Sequence, residues 1–361
     1  MTGLKIPFTG LKKQYNNLRT EILDVTDEVY RSGQLMDGNY TAEFENWLAK
    51  RNGMKYAITC HSGTHALEII AAYYAQQVST TKPPKVLIPT LTYAATANAF
   101  MRAGWEAVLV DTDTYGVINL KKAPDEEIQA TVAVGLYGAA LKHQLYYSSG
   151  LVIEDAAQHW LSNDGYRIGN ATAISFDPMK NLSNYGNGGA VVTSDMDLLN
   201  FAREWRNNGK PNHHNLGTNS RMSEIDCAQM LVKTKYIDEW QKRRGEISKY
   251  WMSRFKGSGI RTLIDDSNFN HHCFHKFVIE LDRRDIVKRN LELHNIETKV
   301  HYANPLHEMP AYEHLDGPDI LSVASSLCRR VLSLPIYPEL SDLEVEYIID
   351  SVLDSSSIKH N

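Results

Sequence analysis

The stretch KYAITCHSGTHALEIIAAYYA, residues 55–75, joins a short β-type run, a Ser-Gly-Thr turn and a strongly apolar helix. The stretch KVLIPTLTYAATANAFMRAG, residues 85–104, repeats this strand-turn-helix order. Three later apolar runs have the pattern of buried strands: EAVLVD (106–111), ATVAVGLYG (130–138) and LVIEDAA (151–157). Short buried strands that alternate with helices predict an α/β fold with a mainly parallel, doubly wound sheet. Ligands of such sheets bind at the carboxyl ends of the strands.

The segments on either side of this region predict how the chain is organised. Residues 11–50 show helical spacing of apolar side chains. From about residue 235 the pattern changes to a charged helix, a strand and further helices, which is typical of a smaller α/β unit. We therefore predict a large domain over residues 1–240 and a small C-terminal domain over residues 241–361.

The composition favours small-molecule chemistry. The chain has 361 residues and a formal net charge of -5, so it lacks the basic excess that neutralises nucleic-acid phosphates. No apolar run approaches the roughly 20 residues that span a bilayer. The four cysteines show no CxxC spacing, which is typical of reduced thiols. We expect a cytoplasmic protein that binds neither nucleic acid nor membrane.

Lys180 is the first candidate for a chemical role. AISF precedes its turn and GGAVVTS follows it, and both runs have the pattern of buried strands. Burial at such a turn disfavours the charged amine, lowers its pKa and makes the nitrogen nucleophilic, as a Schiff-base lysine requires. The alternative is a solvated lysine, or one that protects the edge of a sheet.

An acidic residue and a glutamine follow another predicted strand. In LVIEDAAQ the strand ends at Asp155, and Gln158 lies three residues beyond it. A carboxylate at the end of a buried strand is costly unless it meets a cation, and a protonated pyridine nitrogen would supply one. An equally good alternative from this motif alone is an aspartate that caps a following helix.

Two further strand ends carry residues that a planar phosphorylated ligand requires. In HSGTHAL, backbone N–H groups and the Thr64 hydroxyl form a turn suited to phosphate, although Ser and Thr are also common helix caps. Tyr93 is placed to stack on a ring, or to pack in the core. Together, a phosphate turn, an aromatic ring, an acid, a glutamine and a lysine predict a site for pyridoxal 5'-phosphate.

With these residues in this order, the chain resembles a known family, the sugar aminotransferases of the DegT/StrS type within the fold-type-I pyridoxal-phosphate enzymes. The similar motifs run nearly from end to end. They are SGTHAL (62–67), PTLTYAAT (89–96), LYG (136–138), EDAAQ (154–158), SFDPMKNLSNYGNGGA (175–190), RNNG (206–209), GTNSRMSEIDCAQ (217–229) and KVHYANPLHEMPAY (299–312). The resemblance implies a three-layer, aspartate-aminotransferase-like large domain with a mainly parallel sheet, plus a smaller C-terminal α/β domain.

The resemblance also implies roles for individual residues. Lys180 matches the lysine that binds the cofactor and moves protons. Asn219 matches an asparagine that reaches the phosphate of the neighbouring subunit's cofactor, which implies a homodimer with shared active sites. The other implied cofactor positions are Gly63, Thr64 and Ser175 at the phosphate, Tyr93 at the ring face, Asp155 at the ring nitrogen and Gln158 at the phenolic oxygen.

The activity that the resemblance implies is transfer of an amino group from L-glutamate to a nucleotide-linked keto-sugar, in amino-sugar biosynthesis. Family position alone suggests substrate contacts for Arg221, His301, Tyr302 and His307, with a structural ion pair as the alternative for Arg221. We assign no metal, because HEMPAYEH lacks a second histidine four residues after His307. Alternative functions are a sugar dehydratase, although such relatives carry histidine in place of Lys180, an aminocyclitol aminotransferase, or a non-catalytic sensor or regulatory protein.

Overall fold

The larger of two sheets carries the predicted strands. The computed structural model describes residues 4–78, 82–125, 127–141, 150–162, 169–315 and 321–357. Within these ranges the larger sheet has seven strands: β1 (Tyr56–Cys60), β2 (Lys85–Pro89), β3 (Glu106–Val110), β4 (Ala130–Val134), β5 (Leu151–Asp155), β6 (Ala171–Ser175) and β7 (Gly189–Thr193). Their order across the sheet is β1-β7-β6-β5-β4-β2-β3.

Most neighbouring strands of this sheet are parallel. β3, β2, β4, β5 and β6 pair in parallel, whereas β7 runs antiparallel to both β6 and β1. No helix lies between β6 and β7 in the described structure, so the chain turns back beside β6 instead of crossing over the sheet. The mainly parallel α/β architecture predicted from the sequence is confirmed.

Helices cover both faces of the sheet and make three layers. They are α1 (Leu11–Ser32), α2 (Asn39–Arg51), α3 (Gly63–Ala75), α4 (Ala94–Arg102), α5 (Met196–Trp205) and α6 (Glu224–Thr234). Successive strand residues point to opposite faces. Accordingly, Ile58 packs with the core residues of α3, α4 and α5, and its neighbour Ala57 packs with those of α2 and α6.

The rest of the chain forms a smaller α/β unit. Its sheet is antiparallel in the order β10-β9-β8, with β8 at Arg261–Thr262, β9 at Phe277–Glu280 and β10 at Val331–Leu334. The helices are α7 (Ile237–Phe255), α8 (Arg284–Leu293), α9 (Ser322–Arg330) and α10 (Asp342–Ser357). Across both units, short 3₁₀ turns lie at Leu120–Lys122, Leu136–Gly138, Phe269–His271 and Leu306–Glu308. Trp251 and Phe277 meet edge to face in the core of this unit, 5.0 Å apart.

Two segments connect the units. α7 spans the predicted boundary at residues 240 and 241: Ile237 packs in the core around α2 and α6, whereas Trp251 packs in the core of the smaller unit. The boundary therefore stays a prediction, because a continuous helix crosses it. Near the amino terminus, Ile6 forms a parallel bridge with Ile296 and joins the core of the smaller unit.

Each helix in the described ranges falls short of the length or the apolar character that a membrane span requires.

Candidate active site

A cavity of about 270 Å³ lies at the carboxyl ends of β5 and β6, beside the amino-terminal ends of α3 and α4. This is the place where a doubly wound sheet binds ligands. All of the residues predicted for the site line this cavity except Asn219, Arg221 and His307. Strand ends that are far apart in the sequence thus bring the predicted residues together.

Lys180 contributes an amine without a partner. It lies on a turn in which the Lys180 N–H donates to the Asp177 carbonyl at 2.8 Å. Within the described ranges, Lys180 Nζ makes no hydrogen bond or ion pair. Burial lowers the pKa of the Lys180 amine, and the nearby charges of Asp177 and Asp155 only partly oppose this effect. The amine is therefore more nucleophilic than an exposed lysine.

Asp155 ends β5 as a buried carboxylate with defined hydrogen bonds. Its Oδ2 accepts from the Thr96 hydroxyl at 2.7 Å, and its Oδ1 accepts from the Ala157 N–H at 3.2 Å. Residues 157–161 form turns and not the helix that the capping alternative requires. No cation among the described residues lies within ion-pair distance of Asp155. A buried carboxylate is costly without a cation, so Asp155 fits a protonated ring nitrogen of a bound ligand.

Gln158 is held by two neighbours at the same end of the sheet. Its Oε1 accepts from the Tyr137 N–H at 2.8 Å, and its Nε2 donates to the Tyr302 hydroxyl at 3.1 Å. Burial raises the pKa of Tyr302, so this hydroxyl stays protonated at neutral pH. The Gln158 amide therefore has a fixed orientation beside Asp155.

The turn before α3 forms a cradle for an anion. Ser62 caps the helix and accepts from the His65 N–H at 3.2 Å. Gly63 packs so tightly against Ser175 that a Cβ at position 63 would lie 2.7 Å from the Ser175 Cβ. The free N–H groups of the helix terminus, with the Thr64 and Ser175 side chains at the cavity, fit a phosphate group.

Gly189 explains why glycines follow Lys180 in the sequence. It opens β7 and pairs with both Cys60 and Ser175. A Cβ at position 189 would lie 2.3 Å from the Ser62 carbonyl carbon and 2.5 Å from the Gly63 nitrogen. Only a residue without a side chain lets β7 reach the turn that begins α3.

The side chains of Tyr93 and His301 also line the cavity. Tyr93 is 60% exposed, so it is not a core tyrosine, and its ring centroid lies 6.0 Å from that of Tyr302. His301 Nδ1 lies 2.9 Å from Ser333 Oγ. Burial, reinforced by the positive charges of Lys276 and other lysines, lowers the pKa of His301 to about 3, so its ring is neutral at physiological pH.

The three remaining predicted residues lie outside the cavity. Asn219 is exposed, on a segment that bridges to Asn207. Arg221 forms an ion pair with Asp37 at 2.9 Å, which is the structural alternative stated for it. His307 is held between two hydroxyl groups, with Nδ1 2.7 Å from Thr90 Oγ1 and Nε2 3.1 Å from Ser325 Oγ.

Two residues that the sequence reasoning missed belong to the site. Thr96 holds Asp155, and Asp177 lines the cavity. Both lie inside motifs that carry the family resemblance, PTLTYAAT and SFDPMKN. Thr96 lies three residues after Tyr93, and Asp177 lies three residues before Lys180. This closeness to two predicted site residues was the signal that the sequence offered.

The fold and the cavity together define a pyridoxal-phosphate-dependent aminotransferase of fold type I. The profile of the DegT/DnrJ/EryC1/StrS aminotransferase family matches residues 16–353. The chain belongs to this family.

Individual relatives and solved structures match the chain over nearly its whole length. The chain is 33% identical to a dTDP-3-amino-3,4,6-trideoxy-alpha-D-glucose transaminase of Streptomyces venezuelae, over 96% of this chain and 95% of the relative. It is 32% identical to a protein of Geobacillus stearothermophilus named "Pleiotropic regulatory protein", over 97% and 98%. The crystal structure of S. venezuelae DesV in complex with a ketimine intermediate superposes with a TM-score of 0.91, at 30% identity, over 99% of this chain and 100% of DesV.

Proposed function

We propose that this aminotransferase moves an amino group from L-glutamate to a nucleotide-linked keto-sugar, with Lys180 as the residue that binds pyridoxal 5'-phosphate. One observation carries the assignment of Lys180. Among the described residues, the Lys180 amine has a lowered pKa and no hydrogen-bond or ion-pair partner, and it shares a cavity with Asp155, a buried carboxylate without a cation within ion-pair distance. A ligand with an aldehyde and a basic ring nitrogen satisfies both groups.

The chain offers a contact for each part of this cofactor. When bound, the cofactor supplies an aldehyde that carries the amino group and a protonated ring that stabilises negative charge on the substrate carbon. Lys180 Nζ then accepts and returns the proton of that carbon, because it is an amine in the cavity without a hydrogen-bond partner among the described residues. The residues proposed to hold the cofactor are Gly63, Thr64 and Ser175 at the phosphate, Tyr93 at the ring face, Asp155 at the ring nitrogen and Gln158 at the ring oxygen.

We also propose that the acceptor is a nucleotide-linked keto-sugar and that the protein is a homodimer. The names of several relatives specify transaminases of dTDP- or UDP-linked sugars, which supports a nucleotide-linked acceptor. His301 and Tyr302 line the cavity and are proposed to contact this sugar. Asn219 is exposed and outside the cavity of its own chain, which supports a homodimer in which it completes the partner's site.

The decisive experiment examines the bond to Lys180. Purified protein is saturated with pyridoxal 5'-phosphate, its visible absorbance is recorded, and the complex is reduced with borohydride and mapped by peptide mass spectrometry. We expect a yellow protein that carries the cofactor on the peptide containing Lys180. Lys180→Ala should lose the band, whereas Lys299→Ala, at an exposed lysine that contacts Met179, should keep it. Cofactor found on another lysine would refute the assignment.

The donor and acceptor need a separate assay. The yellow band should disappear when L-glutamate is added, and it should return when the correct keto-sugar follows. L-aspartate and L-alanine serve as competing donors, and dTDP-, UDP- and GDP-linked keto-sugars as competing acceptors. The name of the G. stearothermophilus relative, "Pleiotropic regulatory protein", makes a regulatory role the second candidate. Binding of the cofactor without amino transfer to any of these acceptors would favour that second candidate.

A further inference from the structure

Asp177 is a second carboxylate in the cavity that contains Lys180. Both residues belong to the turn that follows β6, and both line the cavity. The Met179 N–H donates to Asp177 Oδ1 at 2.9 Å, and the Lys180 N–H donates to the Asp177 carbonyl at 2.8 Å. This small turn holds the Asp177 carboxylate at the cavity that the Lys180 side chain also lines.

Asp155 and Asp177 differ in the number of hydrogen bonds that their carboxylate oxygens accept. Each oxygen of Asp155 accepts a hydrogen bond, from Thr96 and from Ala157. Asp177 uses Oδ1 for the Met179 N–H, and its Oδ2 has no hydrogen-bond partner in the part of the chain that the structure describes. No lysine or arginine there lies within 4.0 Å of it. The negative charge of Asp177 is therefore available to act on the interior of the cavity.

The surroundings of Lys180 make this charge important. Asp177 exerts the strongest of the attractions that favour a proton on the Lys180 nitrogen, against the dominant opposing effect of burial. Lys276, which is 95% buried, and His275 and His301 are basic groups that face the same nitrogen. Asp155, at the end of β5, and Cys273, just before β9, also favour a proton on this nitrogen.

We propose that Asp177 is a positioning residue of this site, whose negative charge holds a proton on the nitrogen of Lys180 and so sets the pH at which that nitrogen releases it. This inference rests on the proposed role of Lys180. Without Asp177, Asp155 would be the one carboxylate among the described residues that line the cavity, and the Lys276 amine would still be close to the nitrogen. Because Asp155 is expected to neutralise the ring nitrogen of the cofactor, the charge of Asp177 is needed at the lysine.

The test changes the charge and keeps the turn. Asp177→Asn retains an oxygen that accepts from the Met179 N–H, so the geometry of the turn is preserved. The enzyme loaded with pyridoxal 5'-phosphate is titrated between pH 5 and pH 10 while its visible absorbance is followed. Because a carboxylate stabilises the protonated nitrogen, Asp177→Asn should move the midpoint of the band to lower pH by about half a unit or more, a threefold or larger change in proton affinity.

Two variants control the experiment. Asp266→Asn makes the same chemical change at an exposed position and should leave the midpoint where it is in the wild type. Asp177→Glu restores the charge and should return the midpoint toward the wild-type value. If Asp177→Asn fails to fold, Asp177→Ser keeps an acceptor for the Met179 N–H and replaces it in the titration.

The outcomes separate this inference from the proposed function. A midpoint that is unchanged in Asp177→Asn, or that moves to higher pH, overturns the role of Asp177 while the role of Lys180 stands. A wild-type protein without a visible band, or a band that survives in Lys180→Ala, instead overturns the proposed function.

Discussion

The hydroxyl of Thr96, on α4, donates to Asp155 Oδ2 at 2.7 Å and joins two motifs that lie 59 residues apart. A second hydroxyl, that of Thr92, lies 2.9 Å from the Thr96 oxygen. The carboxylate that ends β5 is thus oriented by a helix that follows a different strand. This contact links the packing of α4 to the chemistry of the cavity.

Removal of the Thr96 hydroxyl should weaken catalysis without unfolding the protein. Thr96→Val keeps the shape of the side chain but cannot donate to Asp155. Hydrogen bonds to charged groups contribute about 1.5–3 kcal/mol, so we expect kcat to fall about tenfold or more. Steady-state kinetics and cofactor titration measure the effect, and Thr96→Ser, which keeps the hydroxyl, serves as the control. Equal kcat values for Thr96→Val and the wild type would show that the Thr96 hydroxyl does not contribute to catalysis.

The glycines after Lys180 should differ sharply in their tolerance of a methyl group. Alanine at position 189 collides with backbone atoms of Ser62 and Gly63, which have no freedom to move aside. We expect Gly189→Ala to lose about 3 kcal/mol of stability and most of its affinity for the cofactor. At Gly186 the nearest atom to an added Cβ is 4.0 Å away, so Gly186→Ala is the matched control. Thermal denaturation and cofactor binding distinguish the two, and similar losses in both variants would contradict this account.

The sequence predicts the framework of the fold better than its connections. Alternation of apolar runs and helices indicates a mainly parallel sheet, because each strand-turn-helix unit shows its pattern locally. The reversed direction of β7 depends on the path of the chain between Ser175 and Gly189, which has no periodic pattern. Likewise, the bridge between Ile6 and Ile296 joins residues at opposite ends of the chain, and no local signal indicates it.

The same holds for the site: residues that stand out within a local motif can be predicted from the sequence, whereas contacts between distant segments cannot. Asp155 ends an apolar run and Lys180 lies on a turn between two apolar runs, so the sequence alone singles out both charged side chains as needing an explanation. The bond from Thr96 to Asp155 and the ion pair between Arg221 and Asp37 depend on packing between distant segments. Asp177 was visible in the sequence, but only its position in the cavity reveals a relation to Lys180.

Buried neutral histidines should make the protein less stable in mild acid. Burial lowers the pKa of His272 from 6.5 to about 3, so the folded protein does not protonate it at pH 5.5, whereas the unfolded chain does. Stability is therefore fully present above pH 6.5 and is lost as the pH falls toward 3. His272 contributes about 1.4 kcal/mol of this loss between pH 7.5 and pH 5.5.

Urea denaturation at pH 7.5 and pH 5.5 tests this effect. His272 Nδ1 accepts from the Phe274 N–H at 2.9 Å, and His272→Asn keeps an acceptor there while removing the titration. Its loss of stability between the two pH values should be smaller than that of the wild type by about 1.4 kcal/mol. Equal losses in the two proteins would show that His272 does not titrate differently in the folded and unfolded states.

Complementation between two inactive variants should reveal whether the sites are shared. If Asn219 completes the partner's site, Asn219→Ala and Lys180→Ala should each lose most activity alone. A mixed dimer then contains one site with Lys180 from one chain and Asn219 from the other, both intact. Unfolding and refolding an equimolar mixture should recover about a quarter of the wild-type activity, because half of the dimers are mixed and each has one working site.

A mixture of Lys180→Ala with Asp155→Ala is the control, since both residues line the cavity of the same chain and no working site forms. If Asn219 serves its own chain, the first mixture recovers no more activity than the control, and the shared site is ruled out.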